Sequence, residues 1–223
     1  MLSGDYSERL PQASICTACA VDPAPAQRYS GGGYSINPMK ICILSDSHDN
    51  RYLLHAAVED AKARGAAAVL HCGDVVAPTT LRVLQQHALP VHVIHGNNTG
   101  DLYNMSRLAA EPASLFRYHG QDAGFTLAER RIFMVHYPHY ARAMACTGDY
   151  DLVCCGHDHR PTVESMPNIK GGTTWYVNPG TVGGIGAEPT YVLADLTAMR
   201  FEVLAVPAAD SVSTPQRWAI PRI

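Results

Sequence analysis

Short apolar runs alternate with segments of helical spacing between residues 40 and 110, and this alternation constrains the fold more than any other feature of the chain. Predicted strands of buried residues cover 41–44, 66–70 and 91–94. Predicted helices follow them at 53–61, 79–86 and 102–110, and Gly65 ends the first helix. Because each strand is followed by a helix, we expect neighbouring strands to pair in parallel within one sheet.

Helical patterns become rare after Phe116. Strand-like runs then cover residues 124–127, 131–135, 152–155, 175–177, 190–193 and 201–206. They predict a second sheet that is partly antiparallel. The fold class is therefore α/β with two sheets.

The N-terminal segment differs from the rest of the chain, because residues 1–38 show no sustained periodicity. We expect a flexible leader over residues 1–38 and one domain over residues 39–223, with Met39 as a candidate biological start. Cys16 and Cys19 form a Cys-x-x-Cys pair, but no second pair lies nearby. We interpret them as ordinary tail residues rather than as ligands of a zinc ion.

Composition excludes several classes of protein. The 17 Lys or Arg and 20 Asp or Glu residues give a formal net charge of -3, so we expect no strong nucleic-acid binding. No apolar stretch reaches the roughly 18 residues of a membrane span. Seven cysteines, two of them adjacent, fit a reducing cytoplasm better than a secreted disulfide framework.

A potential metal ligand follows each of five predicted strands. These residues are Asp46 and His48, then Asp74, Asn97, His136, and finally His157 and His159. Ligands of open α/β sheets bind beyond the carboxyl ends of the strands, so we expect all seven side chains to converge on one edge. Oxygen and nitrogen donors without a thiolate suit two divalent ions better than a structural zinc.

The remaining histidines and single motifs have plainer explanations. The Gly-Asp pair at 73–74 and the Gly-Asn pair at 96–97 are ordinary turn dipeptides when taken singly. Six other histidines have no matching partner in the sequence. We assign His55, His71, His92 and His95 to packing or ordinary surface, and His87 and His119 to surface loops.

The ordered strand-end motifs resemble those of the calcineurin-like metallophosphoesterase superfamily, and most closely its small bacterial phosphodiesterase branch. The motifs are Asp46-x-His48, Gly73-Asp74, Gly96-Asn97, His136, Gly156-His157-x-His159 and Asn178-Pro179-Gly180-Thr181. The resemblance covers about residues 40–196. It implies a four-layer αββα sandwich, in which helices flank two mixed β-sheets and a dinuclear metal site lies at the carboxyl edge of the strands.

The resemblance also implies a ligand set and a reaction. The first metal would be bound by Asp46, His48 and His159, the second by Asn97, His136 and His157, and Asp74 would bridge both. We expect two divalent ions, manganese first, with zinc, iron, nickel or cobalt as alternatives. The reaction would be hydrolysis of a phosphate ester by attack of a metal-bridging hydroxide on phosphorus.

Two departures from the family pattern concern the general acid. Many members carry histidine directly after the metal-binding asparagine, whereas this chain has Asn98. Many also show His-x-His where the second histidine stands here one place later, at His139. Protonation of the leaving oxygen would then fall to water, Asp101 or His139, and the other interpretation of His139 is an ordinary loop histidine.

The resemblance implies a cytoplasmic phosphodiesterase or phosphatase that acts on small or nucleotide-like phosphate esters. The alternative is a non-catalytic scaffold or interaction module of the same fold, for which lost ligands would be the sign. We expect a small phosphate ester as the partner and no membrane association, and we leave a homo-oligomer open. Arg51, Asn98, Tyr103 and residues 137–148 are the candidates for substrate specificity.

Overall fold

The computed structural model describes residues 39–208 of the chain. The predicted leader over residues 1–38, with Cys16 and Cys19, lies outside the described residues, as do residues 209–223. Within residues 39–208, no helix is both long and apolar enough to cross a membrane.

Eleven strands and four helices make up the described part of the chain. The strands are β1 (Lys40–Leu44), β2 (Ala66–His71), β3 (Val91–Val93), β4 (Phe116–Tyr118), β5 (Asp122–Leu127), β6 (Arg130–Val135), β7 (Leu152–Cys154), β8 (Thr162–Pro167), β9 (Thr173–Asn178), β10 (Thr190–Asp195) and β11 (Arg200–Ala205). The helices are α1 (Arg51–Ala63), α2 (Pro78–Gln85), α3 (Leu102–Ala110) and α4 (Pro138–Thr147).

The strands form two mixed sheets. The first has the order β11-β10-β1-β2-β3-β4, and its strands β1 to β4 are parallel, as the strand–helix alternation predicts. The second has the order β5-β6-β7-β9-β8, with a parallel centre and an antiparallel strand at each edge. The expectation of a second, partly antiparallel sheet is confirmed.

Side chains of alternate residues in β1 show how the layers pack. Ile41 and Ile43 are buried between the sheets, in a cluster with residues such as Ile132 of β6. Cys42 and Leu44 point to the opposite face and belong to a second buried cluster, which includes residues of α1, α2 and α3. On the far side, Ala141 and Ala145 of α4 pack against the second sheet. The predicted four-layer αββα sandwich is confirmed.

The first helix begins and ends where the sequence indicates. Asn50 caps it, because its side-chain oxygen accepts a hydrogen bond from the backbone amide of Leu53 at 3.2 Å. Gly65 follows its end with a φ of 96°, a backbone conformation that glycine adopts without steric cost.

Some sequence-based assignments were wrong or incomplete. The runs at 190–193 and 201–206 were grouped with the second sheet, but β10 and β11 extend the first sheet from β1. The strands β4 and β8 and the helix α4 were missed. Only Ala141 and Ala145 of α4 are fully buried, which gives too weak an apolar period to detect.

Candidate metal centre

The predicted ligands lie in the loops that leave β1, β2, β3, β6 and β7 at the carboxyl edge of the sheets. Five of them have a backbone φ between 42° and 76°, the left-handed region that side chains with a Cβ rarely adopt. These residues are Asp46, His48, Asp74, His157 and His159. Strained backbone of this kind costs on the order of 1 kcal/mol per residue and concentrates at functional sites.

Asp46, His48 and His159 form the first group of ligand atoms. Oδ1 of Asp46 lies 3.3 Å from Nε2 of His159 and 3.9 Å from Nε2 of His48. The two imidazole Nε2 atoms are 3.4 Å apart. This set of three could hold a metal ion, and it is the set that the resemblance implies for the first metal.

Asn97, His136 and His157 form the second group. Oδ1 of Asn97 lies 3.0 Å from Nε2 of His136 and 2.9 Å from Nδ1 of His157. His136 also belongs to a cluster with Asp46 and Asp74 that could hold a metal ion. The residues that the resemblance implies for the second metal therefore also lie together.

Asp74 lies between the two groups. Its Oδ2 is 3.6 Å from Nε2 of His48 in the first group, and its Oδ1 is 3.4 Å from Nε2 of His136 in the second. Each carboxylate oxygen thus faces a different group, the arrangement that a bridging ligand needs.

Backbone carbonyls orient two of the histidines. Nδ1 of His136 lies 2.8 Å from the carbonyl oxygen of Cys72, and Nδ1 of His159 lies 2.6 Å from that of Ile185. A carbonyl only accepts, so each Nδ1 must carry the proton that it donates. In a neutral imidazole the lone pair is then on Nε2, which faces the carboxylates and is free to bind a cation.

The Asn-Pro-Gly-Thr turn connects two of the ligand loops. The side-chain amide of Asn178 donates to the carbonyl of Gly156 and to Oδ1 of Asp158, on either side of His157. The hydroxyl of Thr181 donates to the backbone carbonyl of Asp46 at 2.9 Å. This turn therefore fixes the loops after β7 and β1 relative to each other.

Two glycines are needed where the backbone approaches the centre. A Cβ on Gly73 would lie 2.5 Å from Nδ1 of His136, and a Cβ on Gly96 would lie 2.7 Å from Nε2 of the same ring. Real Cβ atoms do not approach neighbours so closely. Glycine at these two positions therefore lets the backbone pass close to the His136 ring.

The charges of the centre fit divalent cations. Asp46 is fully buried, and among the described residues its Oδ1 has no hydrogen-bond donor. The described ion pairs of Asp46 and Asp74 are all with histidine rather than with Lys or Arg. A buried carboxylate without a cationic partner is costly, and a bound metal ion between the carboxylates and the imidazoles would remove that cost.

Hydrogen bonds keep Asp74 ionised. Burial would raise the pKa of its carboxyl, but donors on the side chain and backbone of Asn98, aided by His136 and His48, lower that pKa below its ordinary value. His71 supports the same loop, since its Nε2 lies 3.1 Å from Oγ of Ser47, which donates to the carbonyl of Asp74. Burial lowers the pKa of His71 to about 3, so its ring is neutral at pH 7.

The three predicted catalytic residues outside the ligand set have different surroundings. Asn98 directs its side-chain amide to Oδ2 of Asp74 at 2.6 Å. Asp101 is an exposed cap of α3, and hydrogen bonds from the backbone and side chain of Asn104 lower the pKa of its carboxyl, which makes it a poor proton donor. His139 is exposed in the first turn of α4, with its ring centroid 4.2 Å from that of Tyr140, rather than in a loop.

Four histidines assigned to packing or surface are in fact paired. Nδ1 of His55 lies 3.0 Å from Nε2 of His87, and both rings are buried, so the surface-loop assignment of His87 is wrong. His92 and His119 are stacked with the same 3.0 Å separation between Nδ1 and Nε2. The two histidines of these pairs are 32 and 27 residues apart in the chain, so no local sequence pattern predicts that they meet.

Sequence reasoning also missed Tyr137 as an individual site residue. Its ring lies edge-on to two predicted ligands, with its centroid 4.9 Å from that of His157 and 5.4 Å from that of His136. The position directly after His136 was the available signal.

Comparison with known proteins decides the family. A family profile described as "Calcineurin-like phosphoesterase superfamily domain" matches residues 39–199. The chain belongs to this superfamily. Phosphodiesterase MJ0936 of Methanocaldococcus jannaschii is 25% identical over 160 residues, which cover 70% of this chain and 93% of that protein.

Solved structures of other proteins share the fold. A novel archaeal phosphodiesterase superposes with a TM-score of 0.68 and 22% identity, over 75% of this chain and 99% of that one. Vps29 of Chaetomium thermophilum superposes with a TM-score of 0.50 and 16% identity, over 76% of this chain and 100% of that one. At these identities the likeness demonstrates the fold alone.

Proposed function

We propose that this phosphoesterase-family chain is a phosphodiesterase that requires two divalent metal ions and hydrolyses small or nucleotide-like phosphate esters. The observation that carries the proposal is the position of Asp74, whose two oxygens face His48 of one ligand group and His136 of the other. The phosphodiesterase name of the archaeal relative supports the reaction class.

Metal ions bound there would supply an activated water nucleophile and would neutralise charge on the phosphoryl oxygens. Manganese is the ion we expect, with zinc, iron, nickel and cobalt as alternatives that the same oxygen and nitrogen donors would accept. The protein's own contribution is to hold the donors in place. Carbonyls of Cys72 and Ile185 orient two imidazoles, and Asn98 orients the Asp74 carboxylate.

The non-catalytic alternative is less well supported. The likeness to Vps29 concerns the fold, and a module that had lost catalysis would be expected to lose ligands. This chain has all seven candidate ligands, and the strained loops hold them together at one edge of the sheets. We therefore favour the enzyme.

We also infer a cytoplasmic location. The described cysteines are all free thiols, and Cys42, Cys72, Cys154 and Cys155 are buried in the core. A chain folded around reduced cysteines suits a reducing compartment.

A hydrolysis screen of the purified full chain tests the proposal. Phosphomonoesters, phosphodiesters and nucleotides would each be assayed with manganese, nickel, zinc or magnesium, and with a chelator as the control. We expect metal-dependent hydrolysis with diesters as the better substrates. A protein that binds metal but hydrolyses none of the esters would support the scaffold instead.

A further inference from the structure

A cavity of about 290 Å³ opens beside the second ligand group. His136 and Gly96 form the side of the cavity next to the centre. The other lining residues are His95, Thr99, Leu102, Gln121, Val135 and Tyr137. The sequence motifs and the family comparison assign no role to this cavity.

The lining carries no formal charge. Among the residues that the structure describes, no Lys, Arg, Asp or Glu lines the cavity. Away from the metal centre, a second phosphate or a carboxylate of the substrate would therefore have no Lys or Arg partner in this lining, and its desolvation would be costly. The cavity suits an uncharged group.

The lining also has the chemistry that recognises a planar ring. Tyr137 contributes an aromatic ring to the lining, Leu102 and Val135 contribute aliphatic side chains, and the imidazole of His95 and the amide of Gln121 contribute hydrogen-bonding groups. A heterocyclic base has an apolar face and a polar edge, so it matches this combination.

Two of the walls are held in place before any ligand arrives. Tyr137 packs edge-on against the His157 and His136 rings, and it directly precedes α4. Nδ1 of His95 lies 2.6 Å from the hydroxyl oxygen of Tyr118 on β4. Ordered walls reduce the entropy lost on binding.

We propose that this cavity binds the heterocyclic base of a nucleoside phosphodiester, with Tyr137 as the stacking residue. The proposal rests on the proposed phosphodiesterase function and specifies its substrate class. The volume is near the lower end of the roughly 300–1,000 Å³ typical of small-molecule sites, which is sufficient for one base.

A pair of substrates with one leaving group tests the proposal. Thymidine 5′-(4-nitrophenyl phosphate) and methyl 4-nitrophenyl phosphate both release 4-nitrophenolate, and only the first carries a base. We expect wild-type kcat/KM to be at least about tenfold higher for the thymidine ester, the effect typical of one base stacked on an aromatic ring. The difference should lie mainly in KM.

Two variants should remove the preference. Tyr137→Leu removes the stacking ring, and Gln121→Trp places a large side chain at an exposed position in the cavity wall. Tyr52→Leu is the matched control, because Tyr52 is an exposed tyrosine on α1 that does not line the cavity. We expect the ratio of the two kcat/KM values to fall to about 1 in both cavity variants and to stay unchanged in Tyr52→Leu.

Binding to the chelator-treated protein separates this proposal from the proposed function. Saturation-transfer NMR with thymidine should show contact with the base protons in the wild type and none in Gln121→Trp, with 2-deoxyribose as the probe that lacks the base. If the wild type hydrolyses no ester, the proposed function fails and thymidine binding alone decides the role of the cavity. Equal hydrolysis of the two esters, or no thymidine signal, would overturn the cavity proposal and leave the phosphodiesterase intact.

Discussion

Asn98 donates two hydrogen bonds to Asp74, from its backbone amide to Oδ1 at 2.9 Å and from its side-chain amide to Oδ2 at 2.6 Å. Both carboxylate oxygens are therefore fixed by one residue. Many superfamily members have a histidine at this position, and in this chain the asparagine holds a carboxylate instead. We interpret Asn98 as a positioning residue for Asp74, the proposed bridging ligand.

Asn98→Ala should weaken metal binding. The variant keeps the backbone bond to Asp74 but loses the side-chain bond, and removal of such an outer partner typically costs 10- to 100-fold in metal affinity. Titration calorimetry with Mn²⁺ on the chelator-treated protein measures the loss.

Asn104→Ala is the matched control for that variant. Asn104 makes the same pair of hydrogen bonds to Asp101, at the start of α3 and outside both ligand groups. Loss of the Asn104 side chain should leave the affinity for Mn²⁺ unchanged. An Asn98→Ala protein that binds Mn²⁺ as tightly as Asn104→Ala would contradict the positioning role.

Asp74→Ala should lose more metal than His48→Ala. Asp74 faces both ligand groups, whereas His48 belongs to the first, so the two variants should differ at limiting metal. We expect about two ions per chain in the wild type, about one in His48→Ala and close to none in Asp74→Ala. Elemental analysis after desalting gives the stoichiometry, and two ions in Asp74→Ala would rule out a bridging role.

The buried His55–His87 pair should make the fold sensitive to acid. Burial, aided by the nearby His55 and Lys62 and opposed by Glu59, lowers the pKa of His87 to about 4. An unfolded histidine has a pKa of about 6.5, so the unfolded state binds more protons between pH 6.5 and pH 4. This contribution to the free energy of unfolding is complete above pH 6.5 and is lost as the pH falls toward 4.

Urea denaturation at pH 7 and pH 5, with chelator present, measures this contribution. From pH 7 to pH 5, the free energy of unfolding should fall by about 2 kcal/mol less in His87→Gln than in the wild type. Chelator keeps the titration of the metal ligands the same in both proteins. Equal losses in the two proteins would mean that His87 is not held neutral by burial.

A chain that starts at Met39 should fold and hydrolyse esters as the full chain does. The backbone carbonyl of Met39 accepts a hydrogen bond from the amide of Leu196 at 2.9 Å, so the anchoring of β1 begins at this residue. All seven predicted ligands follow it. Melting temperature and kcat/KM of the two proteins provide the test, and a large fall in either would show that residues 1–38 support the domain.

The sequence could predict that the candidate ligands meet at one edge, because their positions at strand ends follow from local patterns. Asp46 follows the apolar run of β1 and Asp74 follows that of β2, and parallel strands bring their carboxyl ends to one edge. The backbone pairing confirms this logic, since the amide of Asp46 donates to the carbonyl of Gly73 at 3.0 Å.

Contacts between distant elements could not be predicted in the same way. His55 on α1 meets His87 after α2 only because both helices pack on the same face of the first sheet. The Asn98 side chain likewise points to Asp74 because the folded loops bring the two residues within hydrogen-bonding distance. A single sequence does not reveal that proximity. Prediction of such side-chain pairs requires the packing geometry of the folded chain. Prediction of where a strand ends requires only the hydrophobic periodicity of the sequence.

This chain has no histidine at position 98, where many superfamily members carry one. The side-chain amide of Asn98 does not act as a general acid, and the lowered pKa of Asp101 leaves that exposed helix-capping carboxyl ionised, without a proton to donate. The leaving oxygen must then depart with much of its negative charge. We expect the rate to fall steeply as the pKa of the leaving group rises, so that aryl phosphodiesters react far faster than alkyl ones.

Asn98→His tests whether a donor at this position changes that dependence. If the imidazole reaches the leaving oxygen, alkyl diesters should gain up to about 10²-fold and aryl diesters much less. The variant also loses a hydrogen bond to Asp74, so rates must be compared at saturating metal. The measurement is a plot of log kcat/KM against leaving-group pKa for both proteins. A shallow slope in the wild type would mean that another group donates the proton, and His139→Ala would then steepen it if His139 is that group.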